Sequence, residues 1–198
     1  MLLYDAPVSG NCYKVRLLFA YLGIAYERRE VDVVERGGRE QVLGGLNPAL
    51  NVPTLVLDDG RVLAESNAIL CYFAEGTPYL PDDRFERAKV LQWLFFEQYS
   101  HEPNVAVARY MLSIADGPIS EKRLAVLQHL GYAALDAMER ELAARPFLVA
   151  DRYTIADLAL YAYTHVADEG GFDLSRYPAI GRWLERVSAQ AGHVPIAA

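Results

Sequence analysis

The sequence is poor in the features that mark specialised classes of protein. It holds two cysteines, Cys12 and Cys71, in 198 residues, too few for a disulfide framework. Its four histidines are scattered without paired ligand spacing, so no metal site is expected. No apolar run approaches the roughly 18 residues that a membrane span needs. The opening MLLYDAP has neither the basic start nor the long apolar stretch of a secretory signal. A soluble, cytoplasmic protein is therefore expected. Basic charge is also scarce. The net charge is −7 and neither half of the chain is basic, which argues against a nucleic-acid partner. Small anionic ligands remain open, because they need only a local positive site. Internal repeats and low-complexity segments are absent.

What is present is a core and clear punctuation. Hydrophobic residues make up 53% and charged residues 23%, enough apolar surface to bury a full interior. LLYD, residues 2–5, is a short strand. APVSGN punctuates, and CYKVRLLFAYLG reads as a helix with Val15, Leu18 and Leu22 at spacings of three and four and Gly23 as its C-terminal cap. AYERREVDV alternates as a strand, with Tyr26, Val31 and Val33 against charged residues. Residues 35–46 hold four glycines and little periodicity, and read as a loop with room for one helical turn. TLVLDDGRVLA carries a hairpin turn at Asp59-Gly60. SNAILCYFAEG then places Ile69, Leu70 and Phe73 at helical spacing and ends at Gly76. This order argues for a small α/β unit with a mixed sheet.

TPYLPDD, with two prolines and no periodicity, is a linker. Everything after it reads as helix. Leu124, Leu127, Gly131, Leu135, Met138 and Leu142 recur at three and four, a packed helix in which glycine allows close approach. Thr154 and Asp157 stand at capping-box spacing, with Tyr153 and Leu158 placed for a hydrophobic staple. A last helix follows Pro178, and Pro103 is expected to bend the helix that contains it.

Three stretches carry a family resemblance. NPALNVPTLVLDDGRVLAESNAI resembles the core pattern NPxxxVPTLxxDxGxxLxESxAI of glutathione transferases. SGNCYKVR resembles the serine-class active-site turn of the delta, theta and zeta groups, which include bacterial cytosolic members. YTIADLAL resembles the family's buried helix cap. The resemblance covers essentially the whole chain. It implies an α/β thioredoxin-like N-terminal domain over 1–76, a linker over 77–84 and an all-α C-terminal domain over 85–198. It also implies a homodimer that uses glutathione as co-substrate, without a metal, against a hydrophobic electrophile, in a detoxification role. A glutathione-dependent disulfide reductase and a non-catalytic glutathione or hydrophobic-ligand binder are the alternatives.

Read alone, Pro53 is an edge-strand proline in trans, since cis is about 5–6% of X–Pro bonds. The resemblance makes it cis, with the Val52 backbone turned to pair with the ligand's cysteine backbone as strand pairs with strand. Ser66 alone reads as a helix N-cap and Glu65 as an acid matched to the helix dipole. The resemblance gives them the γ-glutamyl end of glutathione: a helix N-terminus and hydroxyl for its carboxylate, and Glu65 for its ammonium. Ser9 alone is also an N-cap. The resemblance places it at the serine that hydrogen-bonds the glutathione sulfur, with Asn11 as a second donor, favouring the thiolate over a thiol whose ordinary pKa is about 8.5. Tyr4 lies inside its strand and reads as packing.

Cys12 takes the resolving place of a C-x-x-C turn whose leading cysteine is replaced by serine. It reads as a small core residue, and so does Cys71. At 50 and 51, where family members place His, Lys or Gln near the glycine carboxylate of glutathione, this chain has Leu50 and Asn51; Arg36 or Arg39 is expected to compensate. Tyr99, His101, Asn104, Ala108 and Tyr110 are candidates for the electrophile pocket. The other reading packs several of them against helices and puts His101-Glu102 on a solvated face. Trp93, Phe95 and Phe96 read as core or dimer surface.

Overall fold

The computed structural model describes residues 1–34 and 38–197. Among these the chain divides into two units: Met1–Glu75 with a returning tail from Ala191, and Gly76–Gln190.

The first unit is a four-stranded mixed sheet with helices, in the order β1 (Leu2–Asp5), α1 (Gly10–Leu22), β2 (Glu27–Glu30), α2 (Arg39–Leu43), β3 (Thr54–Val56), β4 (Val62–Ala64) and α3 (Ser66–Ala74). The strands lie in the order β2-β1-β3-β4. β1 and β2 run parallel, and β1–β3 and β3–β4 are antiparallel. Successive side chains of a strand face opposite ways, and β1 uses both faces. Leu3 packs with Val15, Phe19, Leu55 and Ile69 on one side, and Tyr4 packs with Val31 and Leu43 on the other. Gly23 ends α1 with φ 64°, a left-handed cap that glycine adopts without a Cβ clash. The hairpin closes at Gly60, φ 83°, whose N–H donates to the Leu57 carbonyl at 3.0 Å.

β2 is shorter than the alternation of 25–33 implies. All four of its residues, Glu27–Glu30, are exposed, as suits an edge strand blunted by charge. Val31 is buried beyond its end and donates to the Asp5 carbonyl at 2.7 Å, while Val33 falls outside the strand. Cys12 is core, but Cys71 is only partly buried.

The second unit is mostly helical: α4 (Arg84–Phe96), α5 (Glu102–Arg109), α6 (Glu121–Ala144), α7 (Ile155–Thr164) and α8 (Pro178–Ser188). Pro103 sits in the first turn of α5. The chain before it widens into a π-helical turn, Glu97–His101, and a second such turn, Tyr110–Ile114, follows α5. A proline has no N–H for the preceding turn and its ring crowds it, so the widened turn is the local form that the expected irregularity takes. Gly131 on α6 is the close approach: a Cβ there would meet the Phe172 ring at 2.5 Å. At the start of α7 the Thr154–Asp157 capping box is complete. Asp157 also accepts from Leu148 N (2.9 Å) and Trp183 Nε1 (3.0 Å), so its carboxylate ties three segments together.

The tail returns to the first unit by hydrogen bonds. Tyr13 Oη donates to the Val194 carbonyl at 2.6 Å, and Arg16 Nη2 donates to the Ile196 carbonyl at 2.6 Å.

Candidate functional site

Strand register gathers three separate stretches at one end of the sheet. Tyr4 pairs with Thr54, and Thr54 with Ala64. One step beyond these pairs lie Asp5, leading into the Ser9 turn, then Pro53, then Glu65. The end of β1, the start of β3 and the end of β4 therefore lie at the same end of the sheet, from which the segments carrying 9, 53 and 65 run.

Ser9 is the N-cap of α1. Its Oγ accepts from Cys12 N at 3.3 Å, and its own N–H donates to the Ala6 carbonyl at 2.9 Å. Accepting with a lone pair leaves the hydroxyl proton of a cap serine able to donate elsewhere. Cys12 lies behind it with no exposure. Burial pushes its thiol up to about 12, the Asp5 charge adds to this, and the hydrogen bond to Ser9 acts the other way. A thiol held so high is a poor nucleophile at neutral pH. Asp5 itself is buried between Arg16 (2.6 Å) and Arg28 (2.7 Å), which anchors the end of β1 from which the turn springs.

The peptide bond Val52–Pro53 is cis. Asn51 is exposed, Val52 half-buried and Pro53 buried. The Asn51 carbonyl accepts from Thr54 Oγ1 (2.7 Å) and Asn47 Nδ2 (3.0 Å), which fixes the bend. Among the described residues no hydrogen bond is made to the Val52 backbone. Its N–H and C=O therefore stand as a short, unpaired strand edge, and such an edge recruits an extended ligand.

Glu65 occupies the cap position before α3, and Ser66 is the helix's first residue. Glu65 is exposed and holds φ 67°, ψ 112°, a conformation that costs a non-glycine residue roughly 1–3 kcal/mol and is concentrated at functional sites. Ser66 is 3% exposed. Its Oγ donates to Asn11 Oδ1 at 3.3 Å. The helix N-terminal N–H groups that open α3 lie beside this hydroxyl, and such groups favour an anion.

Lys14 was not among the residues singled out in the sequence. It is fully buried, and its Nζ donates to Asn11 Oδ1 (2.8 Å), Ser66 Oγ (3.3 Å) and Asn67 Oδ1 (3.5 Å). The available signal was two basic residues, Lys14 and Arg16, in an otherwise apolar helix. Arg39 donates to the Asp32 and Val33 carbonyls at 3.3 and 2.8 Å, so its guanidinium holds its own loop. Arg36 lies outside the described residues.

The candidates in the helical unit do not form one exposed set. Tyr99 is 87% exposed and Tyr110 half-buried. His101 is buried rather than solvated: its Nε2 meets Thr164 Oγ1 at 3.0 Å. Ala108 is also buried, and the nearly buried Asn104 donates to the Ser100 carbonyl at 2.7 Å. The π-helical turn rotates this stretch relative to a regular helix, which sequence spacing alone does not register. Trp93 is core, Phe96 packs edge-on against it at 5.1 Å, and Phe95 is exposed.

Among the described residues no helix is long and apolar enough to cross a membrane, and no cluster of three metal-ligating side chains is found.

Comparison with known proteins agrees with this architecture. The family model for the glutathione S-transferase N-terminal domain matches residues 3–80, and that for the C-terminal domain matches residues 100–191. A crystal structure of a glutathione S-transferase from Pseudomonas fluorescens is 48% identical, superposes with a TM-score of 0.95, and is covered to 98% by 100% of this chain. The disulfide-bond oxidoreductase YfcG of Escherichia coli is 29% identical over 197 residues, spanning 95% of this chain and 90% of that one. The yeast prion protein Ure2p, solved in complex with glutathione, shares the fold at 22% identity and a TM-score of 0.86, covering 96% of this chain and 90% of that one. With the N- and C-terminal models in succession and near-complete overlap with a 48% identical relative, the chain belongs to the glutathione S-transferase family.

Proposed function

We propose that the protein is a serine-type glutathione transferase, related to the delta, theta and zeta groups, that conjugates glutathione to a hydrophobic electrophile. The observation that carries this reading is the convergence at one sheet end of three features: the Ser9 turn with Asn11, the cis Val52–Pro53 bond, and the N-terminus of α3 with Glu65 and Ser66. The unpaired Val52 N–H and C=O accept the cysteine backbone of glutathione as an added strand. The γ-glutamyl carboxylate takes the N–H groups that open α3, and the ammonium takes the exposed Glu65. The sulfur then lies toward the opening of α1. There the Ser9 hydroxyl and the Asn11 amide donate to it, and the helix N-terminus favours its negative form.

Chemistry follows from that ionisation. The thiol proton leaves to solvent, the thiolate attacks an electrophilic carbon, a C–S bond forms, and the leaving group departs with the electron pair of the broken bond. The protein supplies no nucleophile of its own. Tyr99 and Tyr110, the accessible members of the helical set, are assigned to the electrophile. Asn51 is assigned to the glycine carboxylate as a neutral donor. Exposed Phe85 and Phe95 (74% and 71%) favour a homodimer that covers them; a cytoplasmic location and a detoxification role belong to the same proposal.

Glutathione-dependent disulfide reduction is the second reading, favoured by the similarity to YfcG. In that case the bound thiolate attacks a disulfide sulfur and the other sulfur leaves as thiolate. Turnover with an aromatic halide supports conjugation, and turnover confined to a small mixed disulfide supports reduction. Thermal stabilisation by glutathione with neither turnover indicates a binding protein.

A further inference from the structure

The buried ammonium of Lys14 bridges two helix N-termini that are remote in sequence. Its hydrogen bonds include one to Asn11 Oδ1 in α1 and two to Ser66 Oγ and Asn67 Oδ1 in α3, 52 and 53 residues away. Ammonium is a donor only. The Asn11 branch that faces it is therefore the carbonyl, and the Ser66 hydroxyl donates to that same oxygen at 3.3 Å. Two donors thus hold one end of the Asn11 amide, and its Nδ2 is left on the opposite branch. An asparagine amide can rotate to present either end. This one is prevented from doing so by a charge that no reorientation of Asn11 can satisfy with N–H groups.

We infer that Lys14 is the positioning residue of the glutathione site: it locks the Asn11 amide so that its N–H groups, not its oxygen, are presented to the glutathione sulfur. This rests on the function proposed above. A free Asn11 would offer its carbonyl to the sulfur for part of the time, and an acceptor facing sulfur favours the thiol over the thiolate. Lys14 also draws electron density from the amide it binds, which strengthens the donor at its far end.

The test is a pH–rate profile with saturating glutathione and an aromatic halide, for wild type, Lys14→Met, Lys14→Gln, Asn11→Ala and the Lys14→Met/Asn11→Ala double variant. Lys14→Met should raise the apparent pKa of the bound thiol and lower kcat at neutral pH about tenfold, for a shift of about one pH unit. Its glutathione KM should change less than about threefold, since Asn11 acts on the sulfur rather than on the ends of the ligand. Asn11→Ala should produce the same displacement, and the double variant no more than either single one. Lys14→Gln retains an N–H donor in the buried position and guards against a failure to fold; it should restore part of the shift. An unmoved profile in folded Lys14→Gln and Lys14→Met, or additive losses in the double variant, overturns the inference while leaving the function intact. A wild type that neither binds nor turns over glutathione overturns both.

Discussion

Replacing Asp157 offers the sharpest test of how the helical unit is held together. The carboxylate is fully buried and accepts four hydrogen bonds: Leu148 N (2.9 Å), Thr154 N (3.0 Å), Trp183 Nε1 (3.0 Å) and Thr154 Oγ1 (3.1 Å). Loss of a helix cap alone costs about 0.5–2 kcal/mol. Here Asp157→Ala leaves three buried N–H donors without an acceptor, each worth about 1–3 kcal/mol. Allowing for relaxation, the expected loss is roughly 3–5 kcal/mol, above the capping range. For a chain of this size that lowers the melting temperature by roughly 6–20 °C. A loss no larger than that of a lost cap would show that Leu148 and Trp183 do not depend on this carboxylate. The pH dependence carries a second test. Burial raises the Asp157 pKa from 3.8 to about 6, outweighing the donors that lower it. The folded state therefore binds a proton between these values that the unfolded state has released. This contribution to stability is complete below pH 4 and is lost as pH rises through 6. Asp157→Asn does not titrate, so the stability gap between wild type and this variant should narrow between pH 4 and 7, by up to about 3 kcal/mol. Thermal denaturation of both proteins across that range measures it. A gap that widens with pH would mean that the four donors prevail and the carboxylate is held below its ordinary value.

Three further outcomes follow from the structure. Glu65→Ala should weaken glutathione binding by roughly 1.5–3 kcal/mol, the worth of one charge-assisted contact, with the melting temperature kept; calorimetry giving unchanged affinity removes Glu65 from the site. Gly131→Ala should destabilise the helical unit by roughly 1–3 kcal/mol, because its Cβ would meet the Phe172 ring at 2.5 Å; denaturation at the wild-type midpoint shows that the ring moves aside freely. Truncation after Gln190 removes the acceptors of Tyr13 and Arg16 at Val194 and Ile196 and should lower stability by about 1–3 kcal/mol; an unchanged midpoint shows that water replaces the tail without loss.

Local chemistry was legible in the sequence wherever one short stretch decides the outcome. Asp59-Gly60 turns the hairpin because glycine takes φ 83° there. Thr154 and Asp157 cap α7 because three residues span one helical turn. The cis bond before Pro53 came from the family pattern and not from proline's own preference, which favours trans. Long-range pairings were not legible. Lys14 looks like any helical lysine until Ser66 and Asn67 arrive from more than fifty residues away to receive it. The short β2 reflects an exposed edge that alternation alone cannot bound. The solvated reading of His101 fails because the residue is buried at the end of a π-helical turn, Glu97–His101, whose register sequence spacing does not show. Within the candidate site, Ser9 and Glu65 were candidates from the family pattern, but the engagement of the Ser66 hydroxyl with Asn11 is a tertiary fact.

The central claim is that the protein ionises a thiol belonging to glutathione and uses none of its own. It is tested most directly by pH–rate profiles for wild type, Ser9→Ala and Cys12→Ala with glutathione saturating. Ser9→Ala should raise the apparent pKa of bound glutathione and reduce turnover at neutral pH, with part of the loss returning at higher pH, where the thiol ionises unaided. Cys12→Ala should leave turnover nearly intact, because burial holds that thiol near 12. A Ser9→Ala profile that does not move, together with abolished activity in Cys12→Ala, would contradict the account and make Cys12 the working sulfur.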